Sequence, residues 1–123
     1  MSESKNHKIR ITVNNLEVEA TLNDTEMSHD FISLLPLEFT MKDLFCREKF
    51  ASLPRSISKG GGQIQSYEVG DIAYWAPGQD IAIFYRQDGQ RMQEGLYKLG
   101  KIEGDLEPFN TPGSVPVKVE CAS

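Results

Sequence analysis

The chain has 123 residues, 39% hydrophobic and 25% charged, with a net charge of −5 and a pI near 5.0. That is one domain, long enough for a sizeable core. The acidic balance, and the lack of a clustered lysine and arginine face, argue against nucleic acid or an anionic membrane surface as partner. No apolar run approaches the roughly 20 residues needed to cross a bilayer as a helix.

Residues 1–7 are polar, read as a loose tail with no apolar export signal, so a cytoplasmic location is expected. Cys46 and Cys121 are then expected as reduced thiols. From Lys8 the pattern alternates. Ile9, Ile11 and Val13 share one face, and after Asn14-Asn15 the face continues through Leu16, Val18, Ala20 and Leu22. Asparagine tolerates the left-handed region, so Asn14-Asn15 predicts a two-residue hairpin turn, with Ile11 opposite Val18 and Arg10 opposite Glu19.

Residues 23–26 read NDTE, a helix start in which a capping side chain is followed three residues on by a glutamate. Met27, Phe31, Leu34 and Leu35 then form one apolar stripe, and Pro36 ends it. The expectation is an amphipathic helix of about three turns that caps a barrel or sheet. Leu37, Phe39 and Met41 alternate with polar residues as a half-buried strand. Residues 43–53 are mixed, with Phe45, Phe50 and Leu53 as expected core anchors. Gly60, Gly61 and Gly62 lack the Gly-Lys-Ser/Thr and the strand-to-helix setting of a phosphate loop, and read as flexible.

The central stretch, residues 70–86, reads GDIAYWAPGQDIAIFYR. Two β-branched and aromatic runs flank Pro77-Gly78, predicting a hairpin with a type II turn in which Gly78 takes φ > 0. Alternation puts Tyr74 and Trp75 on opposite faces, and likewise Phe84 and Tyr85. Asp88-Gly89 reads as a turn, residues 95–102 as a strand and residues 105–109 as one short helical turn. Residues 115–120 form a last strand, placed at a sheet edge by Pro116. Six to eight antiparallel strands with one good helix favour an all-β, closed or nearly closed β-barrel with a helical cap. The expected organisation is a tail at 1–7 and a single barrel domain at 8–123.

The LLP that ends the helix, the strand at 37–42, Leu53-Pro54-Arg55, the GDIAYWAPGQDIAIFYR block and the later LGKIEG together resemble a cyclophilin-like fold family of small, mostly uncharacterised bacterial and archaeal proteins. The resemblance spans roughly residues 8–120. It implies a barrel shaped like that of the cyclophilin prolyl isomerases. True cyclophilins carry FHR and QGG segments. Here Arg55 is the match for the arginine and Gln63 for the glutamine, while the Phe-His pair is absent and the glycines precede Gln63.

Prolyl isomerisation must overcome a barrier of roughly 20 kcal/mol set by amide resonance. A guanidinium donating to the prolyl nitrogen lowers it, so Arg55 is the candidate catalytic residue. Gln63, Trp75, Phe84 and Tyr85 are candidate ligand-binding residues, since aromatic platforms serve recognition surfaces. The favoured reading is a binding module for a peptide segment or small ligand, in a groove beside the 70–86 hairpin. The alternative is a peptidyl-prolyl cis-trans isomerase. A third reading is a homo-oligomer paired through the last strand. His7 in the tail and His29 in the helix show no ligand spacing, so no metal site and no cofactor are expected.

Overall fold

The computed structural model describes residues 7–59, 63–87, 89 and 95–122, so the 60–62 glycines and Asp88 lie outside the described residues. Strands β1 (His7–Val13) and β2 (Leu16–Leu22) form the predicted hairpin. Asn14 and Asn15 take φ of 52° and 70°, and Ile11 faces Val18 while Arg10 faces Glu19. Helix α1 (Glu26–Ile32) follows, then β3 (Leu37–Leu44), β4 (Glu48–Ser52), β5 (Asp71–Trp75), β6 (Asp80–Phe84), β7 (Leu96–Glu103) and β8 (Val115–Cys121). The eight strands close into an antiparallel barrel in the order β1-β2-β7-β5-β6-β4-β3-β8. Among the described residues, no helix is long and apolar enough to cross a membrane.

Alternation along each strand fills the barrel. Ile9, Ile11 and Val13 meet Val18, Ala20, Leu22, Met41, Ile72, Tyr74, Ile81, Ile83, Val117 and Val119 in one buried cluster. Met27 and Phe31 bring α1 into that cluster, and Phe109 enters it from a short 3-10 turn at Glu107–Phe109, as the sequence predicts. The helix is shorter than its stripe suggests, at seven residues or about two turns. Its cap is Thr25, whose hydroxyl accepts from the Ser28 N–H, so Glu26 opens the first turn and does not complete a capping box. After Ile32 the chain tightens. Leu34 N–H bonds to Phe31 O and Leu35 N–H to Ile32 O, three residues back, so the stripe runs past the helix proper.

Three further expectations are corrected, and one strand appears that the pattern did not announce. The β5–β6 turn is a 3-10 turn at Ala76–Gly78, and the left-handed residue is Gln79 with φ 61°. Gly78 is required for space, because a Cβ there would lie 2.7 Å from both Asp80 Oδ2 and Trp75 Cζ3. Phe45, expected in the core, sits at the β3–β4 turn with φ 59° and is 75% exposed. Strand β4 escapes the pattern reading because Arg47, Glu48 and Lys49 interrupt it, yet all three are buried and paired. Finally, β8 is not an edge: it pairs with β1 on one side and β3 on the other. Pairing with β1 ends at Val13 opposite Val117, and Pro116 O accepts from the Asn14 N–H of the turn beyond. The donor that proline lacks therefore falls past the ladder, at no cost to it. With both sides occupied, β8 has no free edge to offer a second copy.

Candidate functional site

The hairpin face is built by strand alternation. Ile72, Tyr74, Ile81 and Ile83 point into the barrel, so Ala73, Ala82 and Phe84 point out. Outside they join Tyr67 and Leu96 in a second buried cluster, with Phe50, Ile64 and Trp75 packed around it. The Phe84 ring stacks on Tyr67 at 4.1 Å and 18°. Tyr67 is fixed in turn, its hydroxyl donating to Arg86 O at 2.6 Å. Gln63 forms a bridge to Tyr97, and its Oε1 accepts from the Gly95 N–H.

Trp75 stands half-buried at the rim of this cluster. Two glycines let the backbone close around it. A Cβ on Gly78 would strike the indole, and one on Gly95 would lie 2.7 Å from Pro77 Cδ and 3.8 Å from Trp75 Nε1. Gly95 O also accepts from the Ala76 N–H at 2.9 Å. Gln63, Trp75 and Phe84 thus share one outer face, with Phe84 as its buried floor and Trp75 at its open margin.

Arg55 and Tyr85 lie elsewhere. Arg55 reaches α1, donating to Asp30 Oδ1 at 2.8 Å and to Ser33 Oγ at 3.0 Å, and also to Ser56 O at 3.0 Å. Asp30 further accepts from the Ser58 N–H at 2.8 Å. The Arg55 guanidinium, then Ser58, holds the Asp30 carboxyl below its ordinary value. Tyr85 packs at the margin of the barrel core, and its hydroxyl donates to Asp43. Among the described residues, no hydrogen bond or ion pair joins Arg55 to Gln63.

A cleft of about 510 Å³ opens on another wall, lined by Thr12, Asn14, Phe39, Thr40, Pro116 and Lys118 among others. In the strand ring β8 lies four places from β5 in either direction, so this cleft is diametrically opposite the hairpin.

The fold also assembles a constellation that the sequence pattern leaves apart. His7 begins β1, Asp24 lies between β2 and α1, and His29 is on α1. Asp24 Oδ1 is 3.2 Å from His7 Nε2 and 2.8 Å from His29 Nε2, and the two Nε2 atoms are 3.1 Å apart. Hydrogen bonds from His29, then His7, hold the Asp24 carboxyl below its ordinary value. One signal for it was legible: the Asn14-Asn15 register places His7 opposite Leu22, two residues before Asp24.

Comparison with known proteins agrees with this architecture. The solution structure of the hypothetical protein AF2241 from Archaeoglobus fulgidus superposes with a TM-score of 0.79, covering 99% of this chain and 100% of that one at 22% identity. Among curated proteins none matches the sequence. The cyclophilin-like family, however, matches over residues 11–120, nearly the whole barrel, and the chain belongs to that family.

Proposed function

We propose that the protein is a non-catalytic binding module that takes a short apolar peptide segment across the outer face of the β5–β6 hairpin. The observation that carries this is Trp75. Its indole is partly open to solvent, yet it is clamped by Gly78 and lies beside Pro77 and Gly95. A rigid aromatic platform has lost its conformational freedom before a ligand arrives, which is what a recognition surface needs. The buried Tyr67–Phe84 stack beneath supports the platform, and Gln63 stands beside it with Gly95. The isomerase alternative rests on Arg55, whose guanidinium already donates to Asp30, Ser33 and Ser56. Those bonds favour a role in tethering the 53–58 loop to α1.

Trp75 is the only tryptophan, so its fluorescence reports this face directly. Titration with short apolar and proline-containing peptides is expected to shift or quench the emission saturably, and Gln63→Ala is expected to weaken the effect. Peptides that bind with no change in emission, while amide signals of Asn14 and Thr40 move, would place binding on the opposite cleft and overturn the proposal. A coupled prolyl isomerisation assay separates the alternative. Wild type and Arg55→Ala are both expected to leave the uncatalysed rate unchanged; acceleration lost in Arg55→Ala would establish an isomerase.

A further inference from the structure

We propose that His7, Asp24 and His29 form a binding site for a divalent first-row transition metal, of which zinc is the natural probe. The three ligand atoms are mutual neighbours, with edges of 3.1, 3.2 and 2.8 Å. The corners of that triangle lie about 1.8 Å from its centre, so an ion at the roughly 2.0–2.1 Å of a zinc–nitrogen bond sits about 1 Å above its plane. Edges near 3 Å fall between the roughly 2.9 Å of an octahedral face and the roughly 3.3 Å of a tetrahedral one at that bond length.

Hydrogen bonding alone serves this triangle poorly. An N–H points at one acceptor. If only one Nε2 carries a proton, it must choose between two acceptors, and the other two lone pairs face each other. If both carry protons, the histidine pair becomes donor against donor. A cation above the plane engages all three lone pairs at once. The rings are set for it, edge to face at 82° with centroids 4.9 Å apart, so their lone pairs converge from nearly perpendicular planes.

Two imidazoles with one carboxylate favour zinc and its first-row neighbours over magnesium or calcium, which prefer all-oxygen sets. The side chains are 35%, 35% and 55% exposed, which leaves an entry path and room for solvent ligands. Three protein ligands with an open side is the count of sites that admit an outside ligand, not of closed structural sites. The ligands come from the start of β1, the β2–α1 connection and α1 itself, so a bound ion would staple the helical cap to the barrel.

The test is calorimetric titration of ZnCl2 into the untagged, chelator-treated full chain, with the thermal melt followed in parallel. One zinc per chain and a raised melting temperature are expected. His29→Ala, a surface change, should weaken binding by more than the roughly 10–100-fold typical of second-shell changes. Cys46→Ser/Cys121→Ser should bind zinc as wild type does, since those exposed thiols are the competing soft ligands. Undiminished binding by His29→Ala, or loss in the double serine variant, would overturn the site. Nitrogen-detected spectra of wild type give a check free of any variant: zinc must move the Nε2 resonances of His7 and His29, and unmoved resonances at saturation would also overturn it.

Discussion

Lys49 is a residue whose disturbance should be costly. Its side chain is fully buried, and Nζ donates to Asp43 Oδ1 at 3.1 Å, Thr111 O at 2.5 Å and Gly113 O at 2.7 Å. An ammonium is tolerated without water only when its donors are met, and here three acceptors meet them. Lys49→Ala orphans two carbonyls and half of an ion pair. Urea unfolding is expected to show a loss of about 3 kcal/mol or more; a loss below about 1 kcal/mol would mean water replaces the ammonium freely. The same network sets a pH profile. Burial alone would raise the Asp43 carboxyl, but hydrogen bonds from Tyr85, Lys49 and the Cys46 N–H outweigh it and hold it below its ordinary value. Its contribution is therefore complete above roughly pH 4, where the unfolded carboxyl titrates, and is lost as pH falls through the lowered folded value. Tyr85 moves the other way: burial, then its bond to Asp43, pushes its hydroxyl well above the ordinary range. That contribution is complete below about pH 10 and is lost as pH rises beyond. Urea midpoints should form a plateau between these limits, and Tyr85→Phe should lessen the alkaline decline, leaving the share of Lys101, whose amine the Glu68 carboxylate holds above its ordinary value; an unchanged decline would assign it wholly to other groups.

At the scale of elements, the β2–β7 seam depends on a missing side chain. Gly100 lies opposite Leu22, and a Cβ there would meet Thr21 O at 2.3 Å and Leu22 Cα at 2.8 Å. Both are backbone atoms of β2, so no rotamer change relieves the clash. Gly100→Ala is expected to cost about 1–3 kcal/mol or more, or to prevent folding, read from the urea midpoint; a wild-type midpoint would mean the seam yields. What was legible in the sequence follows the same local logic. The β1–β2 hairpin was readable to the register, because turn chemistry and alternation are set by neighbours in the chain. Strand β4 was not, because its burial depends on partners far away: Lys49 needs Asp43 and the 111–113 carbonyls. Nor was the place of β8, since Pro116 is harmless only because β1 pairing stops one residue earlier. Of the candidate site, alternation separated Trp75 from Tyr74 and Phe84 from Tyr85, but which of them face outward is set by the packing of Tyr67 and Leu96, and Gln63 joins them through Gly95. Arg55 was drawn to α1 by Asp30, a pairing that no spacing announces.

For the whole molecule, closure decides which backbone groups are protected. Both neighbours of β8 are bonded to it, so its amides are expected to exchange as slowly as those of β5 and β6 on the opposite wall. Hydrogen exchange followed by NMR checks this at Val117 and Val119; fast exchange there would mean the seam opens on its own. The two walls also divide the proposed work. The face proposed for a peptide lies over β5 and β6, while the histidine–aspartate cluster joins β1 to α1. Zinc and peptide should therefore bind with little mutual effect, since no described contact links the two places.

Strand β8 is the keystone between β1 and β3, and it is the last of the eight to be made. While the ribosome is still translating, both of its future neighbours carry unpaired edges and an unfilled core. The nascent chain can fold its first hairpin at once, but the ring cannot close until residues 115–121 have left the exit tunnel.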